Sequence, residues 1–499
     1  MFFRAEEQLS DQQIQSGLRW IIRDGVTTQA IVTFTSGAFL IAFALKLGAS
    51  NFVIGLLSAI VPLCQLLQLP AIFLVEKLRR RRAICVIAAG LSRTCWLFIA
   101  LIPFLFSFHL GLFFVVTAII VNSALNAFSG CSWNSWMRDL VPQDILGSFF
   151  SHRMRIAIGA GVVLSMAAAV YLDLWKKFLP VQEIYSYSLL FFCGFIAGMI
   201  GVYFISRIPE PKMMVHTEKR RWTKMLLEPL GDDNFRKLIM FLGSWNFAVN
   251  LAAPFFMVYM LKRLKLEMSL IIGLIVLSQI ANIAFLKIWG KFTDKFSNKS
   301  VLVVCGPLFI FSILGWTFTT MPEKYFLTLP LLIIIHVCMG ISAAGVTLAT
   351  GNIGLKLAPQ GKATAYLAAN TMINSLAAGI APILGGKFAD FFAARQLDWT
   401  LKYTSPTREI SFPTLNLQQW DFFFVLAFIL GLYSLHRLSI VKEIGEVEEE
   451  IVMQELVTEV KLQVRTISSV AGLRHMVSLP VIILSRLMVK TEVNDAPID

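Results

Sequence analysis

Twelve apolar runs, most of them 20 residues or longer, follow one another along this chain with mostly short polar breaks between them. They fall near residues 20–46, 52–75, 83–106, 109–137, 155–173, 184–206, 237–261, 268–288, 301–320, 326–350, 363–392 and 419–441. A helix needs about 20 apolar residues to cross the roughly 30 Å hydrocarbon core of a bilayer. Inside lipid the backbone must satisfy its own hydrogen bonds, and runs this long are helices rather than barrel strands. Composition agrees: 57% of the 499 residues are hydrophobic and 15% charged, against about 25% charged in a soluble domain. The expected fold class is an all-α membrane protein with twelve transmembrane helices.

The net charge of +13 does not indicate nucleic-acid binding, because the cations sit in short clusters between apolar runs rather than on one basic face or tail. Those clusters set an orientation, since Lys and Arg collect in short cytoplasmic loops. Loops after even-numbered spans hold Lys77 with Arg79 to Arg82, then Arg138, Arg153 and Arg155, Lys212 and "EKRRWTK", Lys291, Lys295 and Lys299, and Lys362. Both termini are expected in the cytoplasm, in a multi-pass protein of the cell (plasma or inner) membrane. Lys176 and Lys177, and the cluster Lys262, Arg263 and Lys265, are exceptions placed outside. The seven cysteines are scattered, without C-x-x-C or a His at metal spacing, and read as small buried thiols. No cofactor or metal is expected. The polar, acidic first residues do not resemble a cleaved secretory signal.

The breaks suggest a division into residues 1–206, a cytoplasmic linker 207–237, residues 238–441 and a tail 442–499. The second long break, Arg395 to Gln419, lies outside. In the tail, Met453, Leu456 or Val457, Val460 and Val464 recur at helical spacing after an acidic run, which predicts an amphipathic cytoplasmic helix. Leu479 to Val489 is too short to span and carries Arg486, so it is expected to pack on protein or at the membrane surface.

An offset of about 218 residues aligns features of the two halves. Gly55 in "IGLLSAI" matches Gly273 in "IGLIVLS", Glu76-Lys77 matches Asp294-Lys295, and Pro142 in "VPQDILGSFF" matches Pro359 in "APQGKATAYL" at 217. Three matches in order, at equivalent places in the span count, indicate two copies of a six-helix unit, a recurring transporter architecture.

The segment "GKFTDKFSNK" resembles the loop 2–3 signature of the major facilitator superfamily: Gly290, Asp294, Lys295 and Lys299 fit, and Ser297 replaces the second glycine. The first-half copy is poorer, with Glu76 for the acid and Lys77, Arg80 and Arg81 for the bases. Pro142 to Gly147, followed by Arg153, resembles the loop 4–5 signature. The resemblance covers about residues 18 to 441 and implies two pseudo-symmetric six-helix bundles that tilt about a central site. It also implies that the loop 2–3 acids pair across the cytoplasmic interface. That gating role falls to Glu76 and Asp294 with Lys77 and Lys295, and Arg138 or the start of span 11 is the partner. The proline-containing span 5 signature of drug–proton antiporters is absent.

Ionisable residues inside the membrane are costly and mark functional hypotheses. Arg93 lies roughly 16 Å into span 3, and the neighbouring Arg23 and Asp24 of span 1 offer a partner, which predicts an Asp24–Arg93 ion pair. The alternative is Arg93 snorkelling or bonding backbone carbonyls. Asparagines recur at i, i+4 spacing, on one helix face: Asn122 and Asn126, Asn246 and Asn250, Asn370 and Asn374. They line a substrate cavity or join neighbouring helices. In the resembled family spans 1, 4, 7 and 10 line the cavity, which adds Thr27, Thr28 and Gln29 of span 1 and His336 of span 10. Trp245, beside Asn246, suits stacking on a ring or core packing. His336 is a proton-coupling group or a structural histidine.

No G-x-x-x-x-G-K-[ST] loop points to ATP. The reading is a monomeric secondary transporter, not an enzyme, that moves a small-molecule substrate and is coupled to protons or another ion. The alternatives are a polytopic membrane enzyme acting on lipid, for which the sequence shows no cluster of His, Asp or Glu, and a transporter-derived sensor signalling through the acidic tail.

Overall fold

Every helix below satisfies the length that hydrocarbon imposes. The structure, a computed structural model, describes residues 6–7, 9–35, 37–142, 145–213, 228–320, 324–357, 363–405, 408–443, 451–452, 454–456 and 458. Among these are twelve helices long and apolar enough to cross a membrane. They are α1 (Asp11–Thr35 and Gly37–Lys46), α2 (Asn51–Leu78), α3 (Arg81–Leu105), α4 (Phe108–Leu140), α5 (Leu146–Phe178) and α6 (Glu183–Arg207) in the first half. The second half holds α7 (Asp233–Arg263), α8 (Met268–Lys295), α9 (Asn298–Thr319), α10 (Thr328–Lys356), α11 (Ala363–Phe392) and α12 (Trp420–Ser439). Most of the linker, Met453, Val457, Val460, Val464, Pro359, Lys362 and residues 479–489 lie outside the described residues.

The halves repeat the same packing. In the first, α1 lies against α5 and α6, and α3 against α4 and α6; in the second, α7 lies against α11 and α12, and α9 against α10 and α12. The start of α1, the end of α12 and the α2–α3 turn share one face, called here the termini face. The opposite face carries the α1–α2, α5–α6 and α7–α8 turns. It also carries a β-hairpin that hydropathy does not foresee, β1 (Gln396–Ser405) paired antiparallel with β2 (Arg408–Gln418). Leu397, Trp399 and Tyr403, exposed and spaced by even numbers of residues, share one side of β1, whose pairing with β2 is irregular at Trp399/Thr400.

On the termini face, three of the arginines read as loop charges are structural. Arg79, with φ 51°, and Arg80 make the turn. Arg81 opens α3 and is wholly buried, bonding Asp139, the Ser135 carbonyl at 3.0 Å and the Pro211 carbonyl at 2.8 Å. The first amides of a helix have no partner within it, and here the Arg81 N–H donates to Glu210 Oε1 at 2.7 Å. Burial pushes the Glu210 carboxyl up from the usual carboxylate range, while the Arg81 and Arg82 amides and charges pull it back. At the start of α9, Glu443 accepts from the Asn298 N–H at 3.3 Å, its Nδ2 at 2.8 Å and the Lys299 N–H at 2.7 Å. Each carboxylate follows the last helix of a half and ties that helix to the third one of the same half.

The tail residues that are described pack on the second half. Val452 is buried in its core, and Lys295 Nζ donates to Glu455 Oε1 at 2.6 Å.

Candidate functional site

Where α1, α5 and α8 meet, a crevice of about 470 Å³ opens between the halves. Its polar lining is Gln29 and Thr33 of α1, Ser165 of α5, and Ser278, Gln279 and Asn282 of α8, set among aliphatic side chains. No ionisable side chain lines it among the described residues. Gly161 of α5 makes room for Gln29: a Cβ there would stand 2.8 Å from Gln29 Nε2. The crevice therefore offers amide and hydroxyl donors and acceptors in an apolar wall, which fits an uncharged ligand with several hydrogen-bonding groups.

Beside it, inside the first half, lies a charged cluster. Asp24 is 2% exposed. Arg93 Nη2 stands 3.9 Å from Asp24 Oδ1, and Arg153 Nη2 is 3.4 Å from Oδ2. Thr28 Oγ1 donates to Asp24 Oδ1 at 3.1 Å, Arg93 Nη1 to the Gly198 carbonyl at 2.6 Å, and Arg153 Nε to the Ile21 carbonyl at 3.1 Å. The structure thus brings Asp24 and Arg93 together and gives Arg93 a backbone carbonyl as well. A buried ion pair survives only when its remaining polar atoms are bonded, and the carbonyls and Thr28 do this. Glycines give the guanidinium groups their space: a Cβ at Gly25 would stand 2.9 Å from Arg153 Nε, and one at Gly201 2.9 Å from Arg93 Nη1. Arg23 is outside the cluster, exposed, with its guanidinium 4.7 Å from the Trp20 ring.

The asparagines split. Asn246 Nδ2 donates to Asn374 Oδ1 at 3.0 Å, and Asn374 Nδ2 to Asn370 Oδ1 at 2.9 Å, so α7 and α11 are joined by an amide ladder. Asn250 Nδ2 donates to the Asn246 carbonyl at 2.8 Å. Asn122 Nδ2 donates to the Ser92 carbonyl and hydroxyl at 2.8 and 2.9 Å, joining α4 to α3, and Asn126 Nδ2 donates to Asn122 Oδ1 at 3.1 Å. These six amides lie outside the lining of the crevice. Trp245 is buried against Phe309 and Phe241. The His336 ring is buried against Trp316, with Nδ1 2.8 Å from the Leu332 carbonyl. Both rings face the core of the second half, and among the described residues neither α7 nor α10 contributes to the crevice, whose walls come from α1, α5 and α8. Of the predicted cavity residues, Gln29 lines the crevice. Thr33, Ser165, Ser278, Gln279 and Asn282 are not among the residues that sequence reasoning singles out; single polar residues spaced through apolar helices are their signal.

The loop acids Glu76 and Asp294 are exposed on the termini face, as are Lys77, Lys295 and Arg138. The cluster Lys262, Arg263 and Lys265 lines, with Lys324, a separate pocket of about 760 Å³ on the opposite face.

A comparison with curated proteins finds no match. Among solved structures, a mutant form of the nucleoside transporter NupG aligns with a TM-score of 0.65 at 12% identity, covering 86% of this chain and 100% of that one. A D-xylose-proton symporter aligns at 0.63 and 13% identity, covering 87% and 100%. The xylose transporter XylE from E. coli, in an inward-open conformation, aligns at 0.57 and 13% identity, covering 86% and 96%. At such identities these likenesses establish the fold. The sequence itself matches the Major Facilitator Superfamily over residues 25–382, most of its length, and with twelve spans in two equivalent bundles the chain belongs to this family of membrane transporters.

Proposed function

We propose that the protein carries a small uncharged polar solute, of the nucleoside or sugar kind, across a cell membrane by alternating access. The observation that carries this reading is the crevice between the halves, walled by Gln29, Thr33, Ser165, Ser278, Gln279 and Asn282 and free of ionisable side chains among the described residues. A charged solute left there without a counter-charge would lose most of its hydration for little return. The nucleoside and xylose transporters among the structural neighbours favour the same solute class.

The Lys and Arg of the termini face, from Lys77 to Lys299, support a cytoplasmic placement of that face. With the bonds between the halves on the opposite face, we infer that the crevice is reached from the cytoplasmic one. When the halves tilt the other way, Glu76 and Asp294 come to the closing interface, where Arg138 or the start of α11 is the partner. Coupling to a proton gradient falls to Asp24, a buried carboxylate in the middle of a span.

The test is uptake into proteoliposomes from a panel of nucleosides, sugars, amino acids and organic anions, with and without a proton gradient. Uptake of neutral polyhydroxylated solutes is expected, with kcat/KM reduced up to about tenfold in Asn282→Leu and in Gln279→Leu, since each removes from the crevice wall a hydrogen-bonding group worth about 0.5–1.5 kcal/mol. Transport confined to charged solutes, or indifferent to both substitutions, overturns the reading. Asp24→Asn is expected to abolish gradient-driven accumulation; retained accumulation would place the proton elsewhere.

A further inference from the structure

On the opposite face, five hydrogen bonds that join the two halves run to two carboxylates. Asp173, near the end of α5, accepts from the Met268 N–H through Oδ1 at 3.0 Å and from the Ser269 N–H through Oδ2 at 2.7 Å. Asp390, near the end of α11, accepts through Oδ1 from the Asn51 N–H at 3.1 Å and Nδ2 at 2.9 Å, and through Oδ2 from the Phe52 N–H at 2.9 Å. Each carboxylate belongs to one half and caps a helix of the other. The donors are first-turn amides of α2 and α8, which have no partner inside their own helices, and the acceptors are anions at the positive end of a helix dipole. One offset, 217 residues, carries Asp173 onto Asp390, Asn51 onto Met268 and Phe52 onto Ser269. The two contacts are therefore symmetry mates under the axis that relates the halves.

The chain makes the same bond on the termini face, where Glu210 caps α3 and Glu443 caps α9. There donor and acceptor share a half and stay together however the halves tilt. On the opposite face they do not, and separating α2 from α11 and α5 from α8 breaks five bonds. The clasp at Asp390 also has a close backbone seat: a Cβ at Gly55 would stand 2.0 Å from the Pro382 carbonyl oxygen, and one at Gly386 2.5 Å from the Asn51 carbonyl oxygen. The clasp at Asp173 lies over the crevice, since Ser165 is eight residues from Asp173 and Ser278 ten from Met268, which is about 12 and 15 Å along their helices.

We propose that Asp173 and Asp390 are positioning residues for transport: a symmetric pair of clasps that holds the opposite face shut over the crevice and is released to admit solute from that side. The proposal rests on the alternating-access reading but names no solute. Opening that face leaves two carboxylates and their amide donors to water, which can hydrate both, so the clasps bias the equilibrium without freezing it.

The experiment uses the full chain in nanodiscs with paired spectroscopic labels at Val181 and Phe326, exposed positions in different halves on the opposite face. The wild-type protein is expected to give one dominant short-distance population. In Asp173→Ala and in Asp390→Ala the long-distance population rises about fivefold each, the effect of losing one helix cap of about 1 kcal/mol. The double variant shows the product of the two. Asp173→Asn and Asp390→Asn, which keep one accepting oxygen, fall between wild type and alanine and serve in place of an alanine variant that fails to fold. Distances unchanged in the folded variants overturn the proposal, as does a shift of the same size in Glu210→Ala, whose cap lies within one half. If the distances shift and no neutral solute is transported, the clasps stand and the solute reading falls.

Discussion

The two faces of this protein use one chemical device in two ways. On each, carboxylates near helix ends cap the first turns of neighbouring helices, and on each the caps come in equivalent pairs, one from each half. On the termini face Glu210 and Glu443 work within their own half; on the opposite face Asp173 and Asp390 reach across. A cap within a half stabilises the bundle in every state and enters the folding free energy. A cap between halves is present in one arrangement and absent in the other, so its energy enters the equilibrium between them. Bond length does not tell the two roles apart, since Glu210 to Arg81 and Asp173 to Ser269 are both 2.7 Å. Which body carries the donor does.

The largest effect expected from breaking this comparison is at Glu210. Replacing it by alanine leaves the buried Arg81 amide without its acceptor and removes one of the acids near the wholly buried guanidinium, whose Nε stands 3.7 Å from Glu210 Oε1. Removing one member of a buried pair destabilises by about 3–5 kcal/mol. Because Asp139 also binds Arg81, Glu210→Ala belongs at the low end, about 3 kcal/mol. Thermal unfolding of the purified protein measures the loss. Glu210→Gln, which keeps an oxygen for the amide, should recover part of it.

Gly55 ranks next and probes the seam between the halves. Its place in α2 against Pro382 of α11 lets two backbones touch, and a methyl group there must push the helices apart. Gly55→Ala is expected to fold, because the strain is relieved by separating the halves rather than by unfolding either. The distance across the opposite face should lengthen at least as much as in Asp390→Ala. A folded Gly55→Ala protein with an unchanged distance would show that α2 and α11 yield locally and that the seam does not govern the tilt.

The difference between the two kinds of cap also marks how far the sequence can be read. The twelve spans are legible because lipid demands length and apolarity of each helix separately. The family is legible from Gly290, Asp294, Lys295 and Lys299. Arg93 and Asp24 can be paired from the sequence because a buried charge needs a partner. Arg153 reads as a loop charge because hydropathy falls where polar residues begin, while the helix starts at Leu146 and carries Arg153 inward to Asp24. Asp173 and Asp390 escape notice at the span ends, where a lone acid looks like any solvated residue. Their signal is in the repeat, since the 217-residue offset that pairs Pro142 with Pro359 also pairs them. Trp245 and His336 show the converse limit: family position names helices expected at the cavity, and in this structure α7 and α10 turn these rings into the core of the second half while α1, α5 and α8 wall the crevice.

The smallest expected effect is at Gly273, the repeat mate of Gly55. The repeat predicts equal sensitivity, but the surroundings differ, because a Cβ at Gly273 would meet nothing within 4 Å. Where α2 and α11 touch backbone to backbone, α8 and α5 meet more loosely beside the crevice, and Asp173 joins them at their ends. Gly273→Ala should therefore stabilise the helix by at most about 1 kcal/mol, Ala being the better helix former, and should leave the distance between Val181 and Phe326 unaltered. If Gly273→Ala opened the face as Gly55→Ala does, both seams would be close-packed and the crevice would not lie between α5 and α8. Equal behaviour of the two glycines would thus count against the site itself, and unequal behaviour places the solute path on the looser of two seams related by symmetry.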